Sequence, residues 1–119
     1  VLRKCGYSVD YVGDGLEAIG RVAAGNEYDL ILIDYELPTI NGFETTERLR
    51  SLGYWKPIIA VSAGSEAELI GPWREAGCSD FLGKPYLPRQ LREIVKQALL
   101  RRPNRRPSKT AYELALQST

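Results

Sequence analysis

A chain of 119 residues, 44% hydrophobic and 26% charged, has material for one packed core and too little for two. Its formal net charge of +1 supplies no overall field for nucleic acid or an anionic membrane, so neither is an expected partner. With no histidine and two cysteines it lacks the ligand set for a zinc or haem site, and it has no Ser/His or Cys/His catalytic pair.

Residues 1–5, followed by Gly6, read as the last turn of a helix, with Gly6 where a left-handed residue ends it. Residues 7–12 alternate, with Tyr7, Val9 and Tyr11 on one face and Ser8, Asp10 and Val12 on the other, which predicts a short strand near an edge. Gly13, Asp14 and Gly15 turn the chain. Leu16, Ile19, Val22 and Ala23 then keep helical spacing until Gly25 and Asn26. Residues 30–33 (Leu30, Ile31, Leu32, Ile33) are continuously apolar, the pattern of a strand buried on both faces of a parallel sheet, and the run stops at Asp34.

Pro38, Asn41 and Gly42 predict a loop, and Phe43, Leu49 and Leu52 mark the inner stripe of the next helix. Residues 57–61 form a second apolar strand ending at Ser62. Residues 66–76 predict a weaker helix, irregular where Gly71 and Pro72 fall inside it. A very short strand is expected at 80–82, just before Lys84 and Pro85. The clearest helix spans 87–100, with Leu87, Leu91, Ile94, Val95, Ala98 and Leu99 on one stripe. Residues 102–119 read as a basic, Pro-containing tail, disordered or weakly helical, with 111–116 a marginal helix. Cys5 and Cys78 are expected as buried free thiols in a reducing cytosol, and no apolar run reaches membrane length.

Strands alternating with helices through short connections predict an α/β, doubly wound parallel sheet. In such sheets ligands bind beyond the carboxyl ends of the strands, where Asp34, Ser62 and Lys84 should converge. Each has a plain structural reading alone, as a turn cap, a turn hydroxyl and a solvated amine. Together they suit phosphoryl capture: a carboxylate nucleophile, a hydroxyl donor to a phosphate oxygen, and an ammonium that offsets phosphate charge.

The segments Gly15-Leu-Glu-Ala18, Asp34 through Gly42, Ser62-Ala63, Glu75-Ala-Gly77 and Asp80-Phe-Leu-Gly-Lys84-Pro85 together resemble response-regulator receiver domains, most closely those of hybrid histidine kinases. The resemblance covers residues 1–101 and implies a flavodoxin-like sheet of order 2-1-3-4-5. It implies that Asp34 is the phosphoacceptor, that Ser62 and Lys84 bind the phosphoryl group, and that Phe81 is the switch aromatic. It implies Mg²⁺ held by Asp34 and the backbone carbonyl of Glu36. The implied partner is a histidine kinase or phosphotransfer domain. The implied setting is cytoplasmic, as a free protein or as the cytoplasmic part of a membrane-bound hybrid kinase.

The family's first strand, which ends in an acidic pair, and most of its first helix have no counterpart here, so the chain is read as N-terminally truncated and its Mg²⁺ binding as weakened or lost. The sheet is then expected either to close by pairing 7–12 directly with 30–33, or to take a strand from another chain. Self-association through that open edge, or through the fourth-helix face at 66–76, follows from the second option. The expected function is a phosphoacceptor in a two-component phosphorelay, a signalling domain and not an enzyme. The alternatives are a phosphorylation-independent docking module or an inactive fragment. A small doubly wound enzyme is disfavoured, because no Gly-rich nucleotide loop or second acid/base group accompanies Asp34.

Overall fold

Strand β2 (Leu30–Asp34) is buried along its whole length and organises the sheet around it. The computed structural model describes residues 4, 6–63, 70–100 and 112–116. In chain order the other elements are β1 (Ser8–Val12), α1 (Gly15–Ala23), α2 (Gly42–Ser51), β3 (Ile58–Ala63), α3 (Ile70–Ala76), β4 (Asp80–Lys84), α4 (Pro88–Leu100) and β5 (Tyr112–Leu116). The five strands form one parallel sheet in the order β1-β5-β2-β3-β4.

The C-terminal strand corrects two expectations. Residues 112–116 are neither disordered nor helical: they lie in the middle of the sheet, pairing Ser8 to Val12 on one side and Leu30 to Ile33 on the other. The sheet therefore closes neither by direct pairing of β1 with β2 nor by borrowing a strand. With β2 flanked by β3 and β5, the open edge proposed for self-association is not present among the described strands. The physical reason is backbone satisfaction. A buried strand with one bare ladder leaves each unpaired N–H or C=O at a cost of about 1–3 kcal/mol. Five residues too short to hold a helix alone gain more as a ladder than as an isolated turn.

Alternation along the strands divides the core into two layers. Val12, Ile31, Ile33, Ile58 and Ala60 face α1, α2 and α3 together with Ala18, Tyr28, Leu49 and Trp73. Val9, Leu30, Leu32 and Ile59 face α4 through Leu91, Val95 and Ala98. The expected inner stripe holds in α4, but at and just after α2 three positions depart from expectation. Leu52 is half exposed, whereas Thr45 and Thr46 are fully buried. Their hydroxyls donate to the carbonyls of Asn41 (2.9 Å) and Gly42 (2.8 Å), which is why polar residues fit an apolar layer. Leu16 and Leu87 are likewise exposed, Leu87 lying before the start of α4.

Helix α3 is described over Ile70–Ala76 and contains Gly71 and Pro72. The front of the expected helix at 66–69, the turn at 1–3, Cys5 and the link 101–111 lie outside the described residues. Strand β4 runs on to Lys84, longer than predicted, and is followed by a cis Lys84–Pro85 bond. Cys78 is a free thiol whose burial pushes its pKa up to about 12, in keeping with the expected inert thiol.

Arg50 ties the base of this layer together. Its guanidinium donates to the carbonyls of Gly77 (2.9 Å), Tyr54 (2.9 Å) and Lys56 (2.7 Å), and burial lowers its pKa. Gly77 turns the end of α3 at φ +113°, and a Cβ there would meet Arg50 Cγ at 2.7 Å. One cation thus joins the residue that ends α3 to the loop between α2 and β3.

Two substitutions test this architecture. Leu114→Pro removes the donor of a residue paired with both Asp10 and Ile31; urea denaturation should show a loss of roughly 3 kcal/mol. Unchanged stability would mean that 112–116 does not occupy the sheet. Gly42→Ala introduces a Cβ 2.4 Å from Trp73 Cη2 and 2.6 Å from the Asp34 carbonyl. The same measurement should register a loss of about 1–3 kcal/mol.

Candidate functional site

Parallel pairing brings three predicted residues to one edge. Asp34 pairs with Val61, immediately before Ser62, and Ser62 pairs with Gly83, immediately before Lys84. Each strand thus delivers its polar residue within one step of its neighbour's. The Asp34 residue is 7% exposed, and its carboxylate is reached by the Lys84 ammonium, which donates to Oδ2 in a short charge-assisted contact. The Glu36 N–H donates to Oδ1 at 3.3 Å. Burying a carboxylate without a partner is costly, and here one cation and one amide offset that cost. Ser62 is half-buried on the same edge.

The loop from Asp34 to α2 is held from both ends. Gly42 N–H donates to the Tyr35 carbonyl (2.9 Å), and the Asn41 side chain caps α2 by accepting from Glu44 N–H (2.9 Å). Between them Thr39 sits at φ +71°, a left-handed conformation that a β-branched residue adopts only under constraint. Its hydroxyl reaches the Asp14 carboxylate at 3.4 Å, while Asp14 also caps α1 through Leu16 N–H (2.9 Å). The loop is thereby tied to the start of α1 as well as of α2.

Beneath the loop lies an aromatic cluster that pattern reading did not find. Phe43 and Trp73 meet edge to face with centroids 4.6 Å apart, and Tyr35 packs on Phe43 at 4.8 Å and on Trp73 at 6.1 Å. Trp73 is 1% exposed, and its Nε1–H has no hydrogen-bond partner among the described residues. The next residue, Arg74, lays its guanidinium over the Phe81 ring at 5.1 Å. Phe81 itself is half-buried in β4. The only sequence signal for this arrangement was a tryptophan next to an arginine in a helix already marked as irregular.

The donor set was tested against a divalent cation. The expected donors are the Asp34 carboxylate and the Glu36 carbonyl, and no group of three or more Asp, Glu, Cys or His side chains comes together among the described residues. Mg²⁺ asks for octahedral oxygen donors, commonly one or two carboxylates with waters and phosphate. Among the described residues, Asp34 engaged by Lys84 and the Glu36 amide does not by itself fit a resident Mg²⁺. No helix among the described residues is long and apolar enough to cross a membrane.

Comparison with known proteins gives this edge its context. Residues 1–96 match the response regulator receiver domain family. The chain is 35% identical over 95 residues to two-component response regulator 24 of Arabidopsis thaliana, covering 80% of this chain and 68% of that protein. It is 37% identical over 90 residues to hybrid signal transduction histidine kinase E of Dictyostelium discoideum, covering 71% of this chain but 5% of that protein. The receiver domain of a Pseudomonas aeruginosa sensor histidine kinase, whose structure holds a magnesium ion in its active-site cleft, superposes with a TM-score of 0.73 at 35% identity, covering 82% of this chain and 81% of that one. The sheet with Asp34 at its carboxyl edge, the matched segments and these likenesses lead to one conclusion: the chain belongs to the response regulator receiver domain family of two-component signalling.

Proposed function

We propose that Asp34 is a phosphoacceptor, taking a phosphoryl group from a phosphohistidine on a histidine kinase or phosphotransfer domain. The observation that carries this reading is the Lys84 ammonium on the buried Asp34 carboxylate, at an edge where Ser62 also emerges. An Asp34 carboxylate oxygen attacks phosphorus, the O–P bond forms as the P–N bond breaks, and the imidazole leaves with its nitrogen lone pair, to be protonated by solvent. Lys84 then offsets charge on the acyl phosphate and Ser62 donates to one of its oxygens, while Phe81 serves as the switch aromatic. The protein acts as a signalling acceptor, not an enzyme with turnover of its own.

Charge decides how fast this proceeds. Bringing a phosphate charge within about 4 Å of a carboxylate costs roughly 4 kcal/mol at an effective dielectric near 20, about a thousandfold in rate if nothing offsets it. Lys84, partly exposed, offsets a portion. We place β5 in the position of the family's first strand, with Leu116 beside Ile33, and no group of three or more Asp, Glu, Cys or His side chains gathers among the described residues. The reading is therefore of a slow acceptor with weak Mg²⁺ dependence. The same sparse donor set supports a second reading, a docking module that binds its partner without phosphorylation.

Labelling with acetyl phosphate followed by intact mass tests the assignment. Asp34→Asn should abolish the hydroxylamine-sensitive phosphoryl adduct, and a persisting adduct would sink it. Lys84→Ala should slow labelling by about ten- to a hundredfold. Chelating divalent ions should change the rate by less than about tenfold; a strict metal requirement would place further donors outside the described residues. Partner binding that survives Asp34→Asn undiminished would favour the docking module.

A further inference from the structure

We propose that Arg74 is a latch on Phe81 and that Trp73 couples this latch to the acceptor loop, making helix α3 the link between Asp34 and the β4 surface. This rests on the phosphoacceptor reading of Asp34 and adds two positioning residues to it. The two residues are adjacent in α3 and face different neighbours. Trp73 is buried against Tyr35 and Phe43 at the two ends of the acceptor loop. Arg74 is exposed, with its guanidinium 5.1 Å from the Phe81 ring centroid.

The acceptor end of the link has no slack. At Gly42 a single added carbon would stand 2.4 Å from Trp73 Cη2, 2.6 Å from the Asp34 carbonyl oxygen and 3.0 Å from Tyr35 Cα. The indole, the Gly42 backbone and the backbone of the acceptor residue are therefore stacked in contact. Close-packed groups of this kind shift between discrete arrangements rather than compress, so a backbone movement at Asp34 displaces Trp73. Two features mark this end of the link: Thr39 holds a left-handed φ of +71°, and among the described residues the buried Trp73 Nε1–H meets no acceptor. Buried donors are normally paired, so the indole has a hydrogen bond to gain by turning.

The output end is a single contact. Phe81 lies in β4 three positions before Lys84, the residue bound to Asp34. A cation held over an aromatic face at an exposed site biases the ring's position by about two- to fivefold in population. That is enough to hold Phe81 at rest and weak enough to release when α3 moves. Arg74 therefore sets the resting position of Phe81, and displacement of Trp73 lifts it.

The test uses the full chain with Trp55→Tyr, leaving Trp73 as the one indole, and with 4-fluorophenylalanine, which then reports on Phe43 and Phe81 alone. Without any labelling, Arg74→Ala should move the Phe81 fluorine resonance, Arg74→Lys should move it less, and Trp73 emission should stay put. Thr39→Gly, which relaxes the loop, should move Trp73 emission and the Phe81 resonance together. Acetyl phosphate should do the same. A Phe81 resonance indifferent to Arg74→Ala, or loop perturbation that moves one signal without the other, overturns the proposal. Absence of a phosphoryl adduct by mass would instead reject the acceptor reading, while the unlabelled arms still decide the latch.

Discussion

The structure depends on the pairing of β2 from both sides. A strand with all five residues buried has no water for its backbone, so each N–H and C=O must find a partner in a neighbouring strand. β3 supplies one ladder, from Ile31 to Asp34, and β5 supplies the other, from Leu30 to Ile33. Only with both in place do Ile31 and Ile33 face one apolar layer while Leu30 and Leu32 face the other. The same pairing decides where Asp34 stands, because a strand fixed on both edges cannot slip by one residue without turning every side chain to the opposite face.

Position then becomes electrostatics. A carboxylate at the end of a buried strand is partly removed from water, and it persists there because Lys84 arrives from β4 two strands away. Neither residue suffices alone: a buried charge that loses its partner is costly, whereas the pair offsets it. No cluster of three or more metal-ligating side chains gathers among the described residues, so at this edge the ammonium carries the charge balance of the carboxylate.

Much of this was legible in the sequence, for identifiable reasons. Residues 30–33 and 57–61 are continuous apolar runs, and α4 has a wide apolar stripe; such long one-sided signals survive tertiary context. Asp34, Ser62 and Lys84 were found because parallel strands end on one edge, a consequence of topology that needs no side-chain detail. What escaped was decided by contacts between distant segments. Thr45 and Thr46 look like surface residues until their hydroxyls return to the preceding turn. Leu52 looks like core until α2 ends one residue earlier. Tyr112 to Leu116 carries no local preference strong enough to announce a strand, and only two waiting ladders make it one. Trp73 has no periodic signature at all; its role exists only through the glycine at 42.

These late-assembled parts sit where the site is most easily disturbed. Leu116, the last described residue of β5, pairs with Ile33, one residue before Asp34, so one flank of the Asp34 backbone is supplied by a strand distant in sequence. On the other side, Gly42 at the start of α2 brings Trp73 of α3 against the Asp34 backbone. Asp34 is thus framed by contacts that only the tertiary fold makes, a paired strand on one side and a glycine on an indole on the other. Because close-packed groups do not compress, a change at Asp34 has to be taken up by those neighbours.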